Sequence, residues 1–383
     1  MSGGVDSSVA AWMLAREGLE LVGLFMRNGV RVDEEDARRK SCCSAGDARD
    51  ARMVAAHLGL PFHSIDLSRE FGDIVRTFVA EYGRGRTPNP CALCNRDLKF
   101  GALLRFAEEL GAEGVATGHY ARLALEDGRV RLRRGLDRSK DQSYQLFCVA
   151  ERNLARARLP LGELEKDAVR ELARAAGLRT AAKADSQEIC FVPSNDYRLL
   201  LAEKGAELHP GELVDSSGRV LGRHEGTEHF TIGQRRGHGV GGGTPLYVIA
   251  LDPAAGRVVL GPLEEACFHS LEVDELNWIG CDPPAEVRCL VQYRYHCVPA
   301  AALVTWRDDP RAPGGRVARV RFDQPQLAVA PGQGAAFYDG DLLLGGGWIE
   351  SAERAGAAPA ELLAAAGGQG PQRTRRSVDR GAT

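Results

Sequence analysis

Over roughly its first 180 residues the chain alternates between stretches with apolar positions at helical spacing and short apolar runs of strand length. Residues 5–17 read as a helix ending at Gly18, and LELVGLFM (19–26) follows as a strand. A second amphipathic helix spans 47–58, with PFHSIDL (61–67) after it as another strand. Phe71, Ile74, Val75 and Phe78 mark a helix over 70–82, and Leu103, Leu104, Phe106 and Leu110 mark one over 96–110. Then come the short strand GVATGH (114–119), a hairpin turning at Asp127-Gly128, and a helix over 163–176. Strands separated by helices of this length predict an α/β doubly wound sheet, parallel, with helices on both faces.

From about residue 205 the helical periods vanish. Short alternating segments are punctuated by turn sequences such as Asp215-Ser216-Ser217-Gly218, Asp252-Pro253, Pro313-Gly314-Gly315 and Pro331-Gly332, the texture of β-rich domains. Residues 1–204 are therefore expected to form the α/β domain, 205–265 a small central β-rich domain, and 266–352 a C-terminal β-barrel-like domain. Residues 353–383, an Ala/Gly/Arg/Gln mixture without period, are expected to be a disordered tail.

At 383 residues the chain is too long for one ordinary core. It contains no apolar run of the roughly 18 residues that a membrane helix needs. Its first residues lack the basic-then-apolar order of a signal peptide, so the ten cysteines are expected in the reducing cytoplasm. They then read as buried thiols, catalytic thiols or metal ligands rather than a disulfide framework. A net charge of −3 argues against nonspecific coating of nucleic acid but leaves room for local basic tracks. Candidate tracks are Arg84 with Arg86, the series Arg129, Arg131, Arg133, Arg134, Arg138 and Lys140, and Arg235 with Arg236.

Candidate chemistry begins at once. Ser2-Gly3-Gly4-Val5-Asp6-Ser7-Ser8 opens the first helix, with glycines that let the backbone turn its N–H groups toward an anion at a positive helix end. Asp6 is placed to hold a magnesium ion that bridges phosphates. No lysine follows, so this is not the GxxxxGK[ST] loop. SGGVDSS resembles the pyrophosphate-binding loop of the ATP pyrophosphatase superfamily, whose members transfer AMP to a carbonyl or carboxyl oxygen. A strand normally leads into such a loop, whereas only Met1 stands ahead of it here; the expectation is an upstream start or a lost first strand.

Four further stretches narrow the reading: RTPNPCALCNRDLKF (86–100), ATGHYAR (116–122), KDQSYQLF (140–147) and DSQEICFVP (185–193). With HFTIGQRRGHGVGG (229–242), VQYRY (291–295) and FDQPQLAVAPGQGAAFYDG (322–340), they make the chain resemble the bacterial tRNA-specific 2-thiouridylases over everything but the tail. The resemblance implies ATP- and Mg2+-dependent 2-thiolation of the wobble uridine in glutamate, glutamine and lysine tRNAs, with sulfur delivered by a persulfide donor protein. It implies that Cys190 carries the persulfide, that Cys94 is the nucleophile, and that the two end as a disulfide. Ser2, Gly3, Gly4, Val5, Asp6, Ser7, Met26 and Gly118 match ATP contacts. Asn89, Pro90 and position 91 match the target-base segment, and His119, Lys140, Asp141, Gln142, Arg294, Tyr295 and Gln333 match tRNA contacts. For His119 a satisfied strand-end histidine, and for Gln333 a turn residue, are the alternatives.

The residues support parts of this independently. Cys94 follows the stiff Thr87-Pro88-Asn89-Pro90 segment and is expected just before a helix starting near Asn95, where a thiol is activated. Position 91 departs from the family pattern, in which many relatives carry aspartate. Cys91 creates a Cys-x-x-Cys pair that, with Cys190, offers three thiolates to an iron–sulfur cluster or, less readily, zinc. Adjacent Cys42 and Cys43 complicate any ligand count. Two other readings, thiolation of another base and a tRNA-binding protein with a vestigial loop, are disfavoured by the C-terminal motifs and by the intact SGGVDSS.

Overall fold

The structure, a computed structural model, describes residues 1–29, 45–185, 189–192, 196–241 and 243–356. Cys42 and Cys43, and the expected tail beyond 356, lie outside the described residues.

The first part of the chain forms helices α1 (Val5–Arg16), α2 (Ala45–His57), α3 (Ser68–Gly83), α4 (Pro90–Leu93), α5 (Leu103–Glu109), α6 (Glu151–Leu154), α7 (Lys166–Ala175) and α8 (Tyr197–Glu203). Its parallel strands pair in two separate ladders, β1 (Gly23–Arg27) with β2 (Phe62–Asp66), and β3 (Val115–Ala116) with β6 (Ala157–Arg158). Helix α1 buries Val5, Val9 and Ala10 in a cluster with Val54 of α2, Val169 and Ala173 of α7, and Tyr120. Helix α3 turns Phe71, Ile74, Val75 and Phe78 into a second cluster with Phe191, Leu200 and Leu201.

The helix expected over 96–110 starts earlier. Pro90 is its first residue, and the Asn89 side chain caps it by accepting from the Ala92 N–H at 3.2 Å. Proline at the first position after an asparagine cap is a start signal that the segment's stiffness masked. The helix then widens to a π-helical stretch over Cys94–Ala102 before α5. Gly101 sits where a Cβ would lie 2.8 Å from the Arg96 carbonyl oxygen.

The hairpin of β4 (Ala121–Glu126) and β5 (Arg129–Arg134) turns at Asp127 and Gly128, both at positive φ, the geometry such a two-residue turn requires. Its β5 reaches across to the C-terminal sheet, pairing Arg133 with Leu342. Strands β7 (Gly211–Asp215), β8 (Val220–His224), β9 (Tyr247–Asp252) and β10 (Arg257–Gly261) make a four-stranded sheet in the order β8-β7-β10-β9. The next six are β11 (Cys267–Trp278), β12 (Glu286–Gln292), β13 (Ala300–Asp308), β14 (Arg316–Leu327), β15 (Gly334–Asp339) and β16 (Leu342–Arg354). They run β11-β14-β13-β12-β15-β16, and β16 pairs back onto β11, closing a barrel without free edges. Strand β16 continues through Arg354, two residues into the segment expected to be tail.

The barrel is not a separate bead. Its Leu343, Trp348, Ala336 and Tyr338 share one apolar cluster with Phe100, Leu146, Phe147 and Leu154 of the α/β domain. Phe147 is fully buried there, and the Gly334 backbone approaches so closely that a Cβ would meet the ring at 2.2 Å. Phe147→Ala is therefore expected to lower stability by about 3–5 kcal/mol. Urea unfolding followed by fluorescence and by circular dichroism should show both domains losing that stability in one coincident transition.

Candidate active site

Gly3 adopts φ +73°, and a Cβ there would lie 2.3 Å from the Asp47 carbonyl oxygen, so glycine is required on conformational and steric grounds. Gly4 precedes α1, and the Ser8 hydroxyl donates to its carbonyl at 2.8 Å. The Ser7 hydroxyl accepts from the Ser2 N–H at 3.1 Å. The loop thus stands folded at the N-terminus of α1, a site suited to an anion. Gly118 closes the other side: a Cβ on it would lie 2.7 Å from the Asp6 carbonyl carbon and 2.8 Å from the Ser7 nitrogen. Met26 sits half-buried toward the C-terminal end of β1, the end at which parallel α/β sheets bind ligands.

The lysines that the loop motif lacks arrive through the fold. Lys166, only 8 % exposed at the start of α7, donates to both Asp6 carboxylate oxygens at 2.7 and 2.9 Å and contacts Asp185 at 2.8 Å. The Tyr120 hydroxyl adds a 2.7 Å bond to Asp6. Asp185 also receives Lys140 at 2.9 Å and Arg170 at 2.7 Å. Burial opposes ionisation of Asp185, but the bonds from Lys166 and Lys140 prevail and hold its carboxyl below the ordinary range. Lys183 ties the Gly3 carbonyl at 2.9 Å to Asp47 at 2.6 Å and Asp50 at 2.9 Å. None of Lys166, Arg170, Lys183 and Tyr120 was singled out in the sequence. For Lys166 and Arg170 the one signal is a cation beside apolar helical positions, which resembles any amphipathic surface, and Lys183 and Tyr120 carry none.

Asp6 fits Mg2+, which is commonly held by one or two carboxylates while substrate phosphates complete its shell, provided that Lys166 cedes an oxygen. Cys91, Cys94 and Cys190 are not gathered as the ligand set that a cluster or zinc would need. Among the described residues no group of three or more His, Cys, Asp or Glu side chains is gathered to hold a metal ion. Cys94 and Cys190 both pack against the α3 cluster of Phe71, Phe78 and Phe191. Cys91 is exposed and acts electrostatically on Tyr295 of the β12–β13 loop, whose hydroxyl is held protonated by burial first and Cys91 second. Because the helix begins at Pro90, Cys94 stands one turn inside it rather than at its N-terminus, and the activation expected from that terminus does not apply.

The matches to tRNA contacts divide into two groups. His119 is buried at 6 % exposure and satisfied: Nε2 lies 3.2 Å from Asn95 Oδ1, and Nδ1 lies 2.7 Å from the Thr117 hydroxyl. Asn95 donates its amide to the Gln145 carbonyl, which turns Oδ1 toward the ring, and Lys99 Nζ approaches the same Nε2 at 3.4 Å. Burial, then nearby Lys99, keeps this histidine neutral. Asn89 is also buried, Lys140 and Asp141 are tied to Asp185 and Ser143, and Gln142 accepts from the Tyr120 N–H. Gln333 donates to the Thr87 and Pro88 carbonyls at 3.0 and 3.1 Å. In this conformation these residues serve internal contacts. Arg294 is exposed, and the half-buried Tyr295 stacks on the buried Tyr144 with centroids 6.1 Å apart.

The basic series over 129–140 is largely neutralised within the chain. Arg129 pairs with Asp282, Arg133 with Glu126, and Arg138 with Asp341; Arg134 donates to Gln292. Arg84 and Arg86 pair with Glu81, and Arg86 also with Glu350. Arg235 and Arg236 are exposed and make no ion pair among the described residues. No described helix is long and apolar enough to cross a membrane.

Residues 1–194 match the family model described as the tRNA methyl transferase HUP domain, 200–262 its PRC-barrel domain, and 268–349 the aminomethyltransferase beta-barrel domain. The chain is similar to the tRNA-specific 2-thiouridylase MnmA of Solibacter usitatus, 47% identical over 368 residues covering 91% of this chain and 98% of that protein. It is likewise 47% identical to that of Geobacter metallireducens over 360 residues, covering 92% and 96%. The Acidithiobacillus ferrooxidans protein of the same name is 47% identical over 357 residues, covering 92% and 97%.

Lys166→Met leaves Asp6 and Asp185 short of their shared cation and should cost roughly 3 kcal/mol at pH 7. Asp185 has a depressed folded-state pKa, so its contribution is present above the unfolded value near 3.9 and fades as pH falls through the lower folded value. Denaturant melts at pH 7 and pH 3 should therefore show the gap between wild type and variant narrowing in acid.

Proposed function

The chain belongs to the tRNA-specific 2-thiouridylase family, and from that premise we propose that it is a cytoplasmic, ATP-dependent tRNA sulfurtransferase replacing the 2-oxygen of the wobble uridine with sulfur. The proposed substrates are the glutamate, glutamine and lysine tRNAs, with sulfur supplied by a persulfide donor protein. The observation that carries this reading is the packing of Cys94 and Cys190 on one apolar cluster, while Lys166 and Asp185 tie the anion loop to the segment leading into Cys190.

In the proposed reaction the uracil 2-oxygen attacks the α-phosphorus of ATP, and pyrophosphate leaves toward the Ser2–Ser7 loop at the N-terminus of α1. Met26 and Gly118 border the nucleoside. When bound, Mg2+ at Asp6 would neutralise charge on the departing phosphates. Displacement needs this activation because an oxygen anion is a poor leaving group, whereas AMP is a good one. The terminal sulfur of a Cys190 persulfide attacks C2, and AMP departs with the former 2-oxygen. The Cys94 thiolate then attacks the Cys190 sulfur, leaving 2-thiouridine on the tRNA and a Cys94–Cys190 disulfide, which a two-electron reductant must reopen. Asn89 and Pro90 shape the wall beside the base, Cys91 and Tyr295 flank it, and Arg294 faces the backbone of the anticodon loop. The tRNA contacts proposed for His119, Lys140, Asp141 and Gln142 require these side chains to exchange internal partners on binding, whereas Gln333 can meet the RNA through its Oε1 while its amide keeps both carbonyls.

With ATP and substrate tRNA the products should be AMP and pyrophosphate; appearance of ADP would overturn the reading. Asp6→Ala is expected to lower AMP formation at least about 100-fold. Cys190→Ser should fail to load protein-bound sulfur, and Cys94→Ser should load it yet form no thiouridine, as read by nucleoside mass spectrometry. Because Cys91 is exposed and lies outside the apolar cluster that holds Cys94 and Cys190, Cys91→Ala should retain thiolation within about threefold, a change under 1 kcal/mol in barrier.

A further inference from the structure

The Thr87–Pro90 segment is poor in donors. Pro88 and Pro90 have no N–H, so the segment cannot enter a sheet ladder, and its carbonyls need donors from elsewhere. Gln333 brings two, spending both amide hydrogens on the consecutive carbonyls of Thr87 and Pro88. Since both partners are carbonyl oxygens, the NH2 end must face them and the orientation of the amide is fixed. The Thr87 N–H returns a bond to the Pro331 carbonyl at 2.8 Å. Gly332, at φ +88°, brings the barrel backbone so close that a Cβ would lie 2.9 Å from the Thr87 oxygen. Upstream, Arg86 anchors the segment to Glu81 and Glu350, each at 2.6 Å, and to the Ile349 carbonyl at 3.2 Å. Downstream, Asn89 caps the helix that bears Cys91 and Cys94.

We propose that Gln333 is a positioning residue for Cys94: it holds the Thr87–Pro90 strap against the barrel and so sets where the attacking thiol stands before tRNA arrives. This rests on the assignment of Cys94 as the thiol that resolves the persulfide. The barrel is then a wall of the active site, and Gln333 has only its Oε1 to offer an RNA.

The test uses the full-length protein without tRNA. Hydrogen exchange over 86–94 and the rate of Cys94 alkylation by iodoacetamide are compared in wild type, Gln333→Glu and Gln333→Lys. The glutamate has no donor for either carbonyl, whereas a lysine ammonium can donate to both. Gln333→Glu should speed strap exchange about tenfold and change Cys94 alkylation at least threefold, with Gln333→Lys near wild type. In turnover, Gln333→Glu should lower kcat with the KM for tRNA little altered. Unchanged exchange and alkylation in Gln333→Glu, with a raised KM for tRNA, would overturn the proposal and leave Gln333 a tRNA contact with no positioning role. A Gln333→Lys variant with the same faster exchange as the glutamate would overturn it too. These readouts stand whether or not the protein thiolates tRNA, so failure of the strap and failure of the proposed reaction are told apart.

Discussion

One apolar seam holds this molecule in a single working shape. Phe100, Leu146 and Phe147 of the α/β domain interlock with Tyr338, Leu343 and Trp348 of the barrel, and Phe147 stands edge-on to Trp348 with centroids 5.0 Å apart. Aromatic rings of this size dominate the free energy of such a contact. The polar contacts around the seam act over a few ångströms and depend on it: Tyr144 donates to the Gly334 carbonyl at 3.0 Å, and Asn277 donates to the Phe147 and Val149 carbonyls at 2.8 and 2.9 Å. Registry between the domains therefore comes from packing, and specificity of that registry comes from hydrogen bonds that a shifted interface would leave unmade.

The second constraint is electrostatic. Asp6 and Asp185 face Lys140, Lys166 and Arg170, and on the other side of the loop Lys183 faces Asp47 and Asp50, so the charges around the loop balance. This pairing solves a structural problem, since Lys166 is nearly out of solvent and would be costly to hold charged without carboxylates on it. The two bonds from Lys166 to Asp6 would have to rearrange for a cation to be held at that carboxylate.

The strap, the seam and the charge cluster meet around the two thiols. Cys94 lies in the second turn of a helix whose start is clamped by the barrel, and Cys190 follows an aspartate held by three cations. Both pack against aromatic side chains of one cluster.

Sequence by itself determined the local features: α1 and the loop ahead of it, the Asp127-Gly128 hairpin, the amphipathic α3, and the change to β-rich texture near 205. These follow from periodicity and turn chemistry, which act over a few residues. It also carried the family resemblance, because contiguous motifs survive in linear order. Tertiary structure alone decided the rest. It brought Lys166 and Lys183 to a loop some 160 and 180 positions away, and set Gln333 against Thr87. It buried His119 and neutralised most of the arginine series, and it put Cys91 apart from the cluster shared by Cys94 and Cys190. Charge and hydrogen-bonding partners separated by a hundred or more residues leave no periodic trace in a chain, so only folding reveals which cations face a ligand and which are already spent.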